Sequence, residues 1–217
     1  MAGFLTEILT EFLTDKHINT MIVLIDNGHG VETLGKRSPD GRLREYAWAR
    51  EIAQLIAISL QREGVEARLL VPETTDIPLR VRTRRVNEVC AAEGARNVCL
   101  VSIHNNAAGA DGKWHDARGW SVYVYDAAGR GSRKLAEMLT AEAKRRDLMG
   151  NRYVPTCGYW VANFAILRDT KCAAVLTENL FQDNREDVAY LLSETGKAEL
   201  TDLHVRAITE YVKQCEQ

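Results

Sequence analysis

Short apolar runs alternate along this chain with longer stretches in which apolar residues repeat every three or four positions. The short runs lie at residues 21–25, 65–71, 98–103, 120–125 and 173–177, and they predict five strands. Runs that are continuously apolar are typical of parallel strands buried on both faces. We therefore expect a single-domain α/β fold, with a twisted, mainly parallel sheet and helices on both of its faces.

The longer stretches predict the helices that cover this sheet. They run from Glu45 to about Gly64, from Pro78 to about Cys90, from Ser132 to about Arg146, and through residues 200–211. Ser132 is expected to be the N-cap of the third helix. Residues 149–166 are rich in aromatic and turn residues and predict a structured loop, whose rings either line a substrate groove or anchor the loop. No linker or repeat divides residues 20–217, which are expected to form one domain.

Residues 1–19 predict a short amphipathic helix. Its apolar positions are Phe4, Leu5, Ile8, Leu9, Phe12 and Leu13, and the run is interrupted by Glu7 and Glu11. The segment has no basic start and no small-residue cleavage site, so it is not expected to be a signal peptide. We expect it to pack on its own domain or, alternatively, to mediate self-association. No apolar run approaches the roughly 20 residues that span a bilayer, so no membrane span is expected.

Composition narrows the classes of function. The 217 residues carry a formal net charge of -2, with 46% hydrophobic and 27% charged residues, which is ordinary for a globular protein. Since no basic excess is present, a nucleic-acid partner is not expected. The five cysteines are Cys90, Cys99, Cys157, Cys172 and Cys215. Their odd number and wide spacing predict free thiols and synthesis in a reducing compartment.

Side chains of the metal-binding type follow three of the predicted strands. His29 comes four residues after Ile25, and His104 and Glu178 each come directly after a run. The carboxyl ends of parallel strands share one edge of a sheet, so these residues are expected to lie near one another. Catalytic zinc takes three ligands of the His and Asp/Glu types, and an additional carboxylate can move protons. The pattern is consistent with a zinc hydrolase.

The same segments resemble those of a known family in order and in sequence. Asp26-Asn-Gly-His-Gly30 is similar to the Asp-Pro-Gly-His-Gly segment of bacterial N-acetylmuramoyl-L-alanine amidases of the Amidase_3 type. Ser102-Ile-His-Asn-Asn-Ala107 resembles their Ser-Ile-His-Ala-Asn segment, and residues 174–181 resemble Val-Leu-Val-Glu-Xaa-Gly-Phe. The likeness runs from about residue 22 to 211. Asn27 replaces the family's proline, and Asn179-Leu180 replaces its Xaa-Gly.

The resemblance implies a role for each matching residue. Zinc would be bound by His29, Glu45 and His104, with Glu178 as the catalytic acid/base and Asn105 and Arg168 as substrate-binding residues. Asp26 would orient His29 from outside the metal shell, although turn hydrogen bonding is an alternative role. Glu32, Asp40 and Glu51 are other acidic residues near Glu45. The loop at residues 107–118 is too short for the helical plug of some periplasmic members, so an open site is expected.

The implied reaction is hydrolysis of the amide between N-acetylmuramic acid and L-alanine in peptidoglycan. A zinc hydrolase of another amide and an inactive peptidoglycan-binding module are the alternatives. The expected place of action is the cell wall or periplasm, reached by lysin-like release or non-standard export.

Other polar residues are expected to have no part in the reaction. His115 is interpreted as a solvated loop residue rather than a substrate contact, and His17 and His204 as surface residues. The arginines of residues 80–85 are interpreted as a solvated helix face rather than a site for substrate carboxylates.

Overall fold

The apolar runs of the sequence form the central strands of one sheet. The computed structural model describes residues 21–215, so the helix expected at residues 1–19 lies outside the described residues. The strands are β1 (Ile22–Asn27), β2 (Ala67–Leu69), β3 (Val98–Asn106), β4 (Ser121–Val124), β5 (Trp160–Val161) and β6 (Ala173–Phe181). Their order is β2-β1-β3-β6-β4-β5. The first four in this order are parallel, β4 is antiparallel to β6, and β5 is parallel to β4.

Helices cover both faces of this sheet. They are α1 (Glu45–Arg62), α2 (Leu79–Glu93), α3 (Arg130–Arg145), α4 (Ala165–Arg168), α5 (Arg185–Leu192) and α6 (Glu194–Cys215). Alternate residues of β1 enter different cores, because successive side chains of a strand point to opposite faces. Val23 and Ile25 pack with α1, α3, α5 and α6, whereas Ile22 and Leu24 pack with α2 and α4. The prediction of a single α/β domain with a mainly parallel sheet is confirmed.

The apolar stripe of α1 shows what holds these layers together. Ile52, Ile56 and Leu60 repeat every four residues and are fully buried against the sheet and α6. Each such side chain contributes about 1.5–3 kcal/mol relative to exposure. Trp48 joins the stripe and donates its indole N–H to the Leu191 carbonyl at 2.9 Å. This packing fixes the start of α1, where Glu45 lies.

Two interpretations of single residues were wrong. Ser132 is not the N-cap of its helix: α3 begins at Arg130 with Gly129 as N-cap, and the Ser132 hydroxyl accepts from the Ala174 amide at 3.0 Å. His204 is not a surface residue but is completely buried. Its ring contacts the Leu200 carbonyl at 2.7 Å and the Thr177 hydroxyl at 3.0 Å. Both polar groups join a helix to the sheet.

The described helices contain no stretch that is both long enough and apolar enough to cross a membrane. All five cysteines are free thiols, as their spacing predicts.

Candidate metal centre and active site

His29 is held in an unusual backbone conformation just beyond the end of β1. Its φ is 61°, in the left-handed region that few non-glycine residues adopt. The Gly28 amide donates to the Ile103 carbonyl at 2.9 Å, which joins the turn to β3. A Cβ atom at Gly28 would lie 2.4 Å from Cε1 of His104. Glycine is therefore required there for close approach, since the His104 ring lies directly against the backbone.

Glu45 is the first residue of α1, and its carboxylate points into the space between the two histidines. Oε1 lies 3.2 Å from Nε2 of His29 and 3.0 Å from Nδ1 of His104, and it accepts from the Asn105 amide at 3.1 Å. Burial favours the neutral form of Glu45, but the hydrogen bonds from the histidines outweigh it and hold the pKa of Glu45 below its ordinary value. The carboxylate is therefore ionised at neutral pH.

The three side chains fit a divalent metal ion. One ligand atom from each of His29, Glu45 and His104 lies within 4.8 Å of the other two. The centres of the two histidine rings are 5.0 Å apart, and the rings are nearly perpendicular. The second oxygen of Glu45, Oε2, is buried and has no hydrogen-bond partner in the described part of the chain. Two imidazoles and one carboxylate form a donor set of the catalytic-zinc type.

Glu178 faces this cluster from the neighbouring strand. It lies in β6 opposite His104 in β3, so the two side chains project from the same face of the sheet. Burial raises the pKa of Glu178 to about 7, because the loss of hydration outweighs the opposing effect of the positive charges of His104, Lys36 and Arg152. Its Oε2 atom is buried without a partner among residues 21–215. A carboxyl group with a pKa near neutrality is well suited to accept and return a proton.

A cleft of about 630 Å³ opens onto the cluster. Its lining residues include His29, His104 and Glu178, with apolar walls from Ile77–Leu79, Phe164 and Ile166. Within the described chain, residues 107–118 do not line this cleft and instead border a separate pocket of about 210 Å³. The short loop therefore leaves the cluster open to solvent.

A buried arginine supports the turn that carries His29. Asp26 is 1% exposed and bonds Nη1 of Arg82 at 2.8 Å. The Arg82 guanidinium also donates to the carbonyls of Asn27 at 2.6 Å and His29 at 3.3 Å. In the described part of the chain the Asp26 carboxylate accepts hydrogen bonds from Arg82 and Ser102, so its link to His29 runs through Arg82 and the backbone. The interpretation of this arginine as part of a solvated face was wrong.

The two residues expected to bind substrate lie in different environments. Asn105 is 2% exposed, and its side chain donates to the Asn179 carbonyl at 2.7 Å, so it joins β3 to β6 below the cleft. Arg168 is exposed at the end of α4 and donates to the Asn163 side chain, which lines the cleft, at 2.9 Å. Substrate binding stays a prediction for both residues.

The aromatic residues of the loop at 149–166 have different roles, and His115 lies away from the cleft. Phe164 is partly exposed and lines the cleft, and its ring lies 5.5 Å from that of Tyr123. Tyr159 is 7% exposed and belongs to the core, which makes it a loop anchor. His115 pairs with Asp111 at 2.9 Å in the loop beyond β3, outside the lining of the cleft.

An α/β domain that brings together two histidines and a glutamate able to share one metal ion, with a further buried glutamate on the adjacent strand, has the layout of a metallohydrolase domain. A family model described as N-acetylmuramoyl-L-alanine amidase, Amidase_3, matches residues 23–210. The chain belongs to this family.

Individual relatives agree with this assignment. The N-acetylmuramoyl-L-alanine amidase CwlM of Bacillus licheniformis is 30% identical over 171 residues, covering 79% of this chain and 60% of the relative. An endolysin of Bacillus phage SPP1 is 24% identical, covering 87% of this chain and 65% of the relative. AmiC of Neisseria meningitidis is 30% identical over 87% of this chain and 40% of its own length. The chain thus spans between 40% and 65% of the length of these relatives.

Solved structures share the fold. The N-acetylmuramoyl-L-alanine amidase from Clostridium difficile 630 superposes with a TM-score of 0.75 at 23% identity, covering 90% of this chain and 98% of that one. AmiC2 of Nostoc punctiforme gives 0.73 at 28% identity, covering 89% and 97%.

Proposed function

We propose that this chain is a zinc-dependent amidase that hydrolyses the bond between N-acetylmuramic acid and L-alanine in peptidoglycan, and that it acts at the cell wall. The observation that carries the proposal is the convergence of His29, Glu45 and His104 within 4.8 Å, with Glu178 on the adjacent strand. Family membership supports the substrate, since relatives from bacteria and a phage are named amidase or endolysin.

Each side chain of the cluster has a separate task in this reaction. His29, Glu45 and His104 would hold the zinc ion, which would lower the pKa of a bound water and polarise the scissile carbonyl. Glu178 accepts the proton of the attacking water and delivers it to the alanine nitrogen as the carbon–nitrogen bond breaks. The products are a free lactyl carboxylate on the sugar and a peptide with an alanine amino terminus.

The test is digestion of purified peptidoglycan by the zinc-loaded protein. We expect new alanine amino termini and free muramic acid carboxyls to appear in equal numbers. Neither product should form when a chelator has removed the metal beforehand. Glu178→Gln should retain zinc but lose activity by about 10²- to 10⁴-fold, because the proton carrier is lost. Glu137→Gln is the matched control, since Glu137 is exposed on α3.

Three results would contradict the proposal. New amino termini other than alanine would indicate a hydrolase of another amide. Tight peptidoglycan binding without stoichiometric zinc or cleavage would indicate an inactive binding module. Wild-type turnover by Glu178→Gln would remove this glutamate from the reaction.

A further inference from the structure

The cleft above the metal cluster is lined by two cationic side chains, Arg82 and Lys36. All the donor nitrogens of Arg82 are engaged, with Asp26, Asp76 and the carbonyls of Asn27, His29 and Ile77. The Lys36 ammonium makes no hydrogen bond or close ion pair with any residue in the range 21–215. The ammonium of this partly buried lysine, in the cleft that contains the proposed catalytic glutamate, is available for an anionic group of the substrate.

Lys36 is held in place by the element that carries a metal ligand. Its carbonyl accepts from the Glu45 amide at 3.0 Å, so the backbone of Lys36 is tied to the start of α1. The loop beyond it is closed by the Ser38 amide, which donates to the Leu43 carbonyl at 2.9 Å. The Lys36 ammonium also lies near enough to Glu178 to lower its pKa. The backbone of Lys36 is therefore fixed next to Glu45, and its side chain lines the cleft that contains Glu178.

The other charged side chains that the structure describes near the cleft neither neutralise the Lys36 ammonium nor offer a second free cation. Asp76 lines the cleft but is engaged by Thr33 at 2.5 Å and by Arg82 at 3.3 Å. Arg152 also acts on Glu178, but its guanidinium stacks 5.3 Å from the ring centres of Trp160 and Phe181 and does not line the cleft.

The substrate of the proposed amidase carries a negative charge a few bonds away from the scissile bond. Peptidoglycan stems continue from L-alanine to a D-glutamate linked through its γ-carboxyl, which leaves the α-carboxylate free unless it is amidated. Five covalent bonds separate the scissile nitrogen from this carboxylate carbon, a span of roughly 6 Å when extended. It is the first charged group on the peptide side, and a side chain in the cleft can meet it.

We propose that Lys36 binds the α-carboxylate of the D-glutamate residue and makes the enzyme selective for stem peptides in which that carboxylate is not amidated. The inference rests on the proposed function and extends it to a specificity-determining residue. A charge-assisted hydrogen bond to a partly desolvated carboxylate corresponds to about 10-fold in kcat/KM.

The experiment compares two muramyl tripeptides, N-acetylmuramoyl-L-Ala-γ-D-Glu-L-Lys with the glutamate α-carboxyl either free or amidated. Zinc-loaded wild type, Lys36→Met and the control Lys134→Met, an exposed lysine on α3, are assayed at pH 8.5. The wild type and Lys134→Met should prefer the free acid by about 10-fold in kcat/KM. Lys36→Met should lose that preference, because its kcat/KM should fall about 10-fold further on the free acid than on the amidated substrate, which has no carboxylate at this position.

The possible failures are distinguishable. Equal wild-type turnover of the two tripeptides would overturn the role of Lys36 and leave the amidase proposal standing. A preference that survives in Lys36→Met with no loss of rate on either substrate would assign the carboxylate to another cation. Equal slowing on both substrates would make Lys36 a residue that acts on the reacting bond, not on the carboxylate. Cleavage of neither tripeptide by the wild type would overturn the amidase proposal itself.

Discussion

Arg82→Met should destabilise the domain far more than Arg84→Met, two residues further along the same helix. The side chains of Arg82 and Asp26 are 4% and 1% exposed, and their atoms lie 2.8 Å apart. Methionine keeps much of the side-chain volume but removes every donor, so the Asp26 carboxylate stays buried without its cation. Removing one partner of a buried ion pair costs about 3–5 kcal/mol.

Arg84 provides the reference value. It pairs with Glu88 at 3.5 Å, and these side chains are 67% and 66% exposed. Exposed pairs contribute about 0–1 kcal/mol, because water solvates both charges when the pair is broken. The difference expected between the two variants is therefore about 3 kcal/mol.

Urea unfolding of the metal-free proteins measures this difference, since a loss of about 3 kcal/mol moves the midpoint by roughly 1–2 M. Replacing both partners, with Asp26→Leu added to Arg82→Met, should recover part of the loss because no unpaired charge then stays buried. Equal destabilisation by Arg82→Met and Arg84→Met would refute the reasoning.

Three further predictions concern the site and its titrations. Gly28→Ala should weaken zinc binding by about 10- to 100-fold in a zinc titration, because the added Cβ displaces the His104 imidazole packed against Gly28. The control Gly129→Ala should leave zinc affinity unchanged, because the space around a Cβ at Gly129 is open. Lys36→Met should move the acidic limb of the pH–kcat/KM profile to higher pH. Loss of the nearby positive charge raises the pKa of Glu178, and this carboxyl must be ionised to accept a proton. An acidic limb at the wild-type pH would contradict this prediction. Burial lowers the pKa of His204 to about 4, so its neutral ring stabilises the fold above the unfolded value of 6.5, and this contribution is lost as pH falls towards 4. His204→Gln should therefore cost about 3 kcal/mol less at pH 4 than at pH 7 in denaturant unfolding, and a pH-independent cost would show that the ring titrates normally.

The long apolar strands were predictable because burial on both faces leaves a continuous signal. Residues 22–25, 98–103 and 173–177 lie within β1, β3 and β6. Strand β5 has two residues and α5 has eight, and neither is long enough to show a period. The turn residues around β5 led to the expectation of a loop, and pairing with β4 makes it a strand.

Some of the polar residues could be assigned from the sequence, and others could not. His29, Glu45 and His104 could be selected from sequence because they follow strands or begin a helix inside matching motifs. Arg82 and His204 could not, because their burial depends on partners distant in sequence: Asp26 for the arginine and Thr177 for the histidine. Charge alone predicts a solvated position, and only the tertiary structure supplies the compensating group. Lys36 was likewise missed, since its position at the cleft depends on a loop that carries no periodic signal.

The cluster at the strand ends draws its three side chains from the end of β1, the start of α1 and the end of β3, so an ion held there would cross-link segments that separate when the domain unfolds. Any ligand that binds only the native state adds to its stability, by about 2.7 kcal/mol at a hundredfold excess over Kd. Depleting zinc should therefore lower the melting temperature and hasten proteolysis, as well as stop catalysis. The lifetime of the folded domain, and not only its chemistry, would then depend on the metal ion.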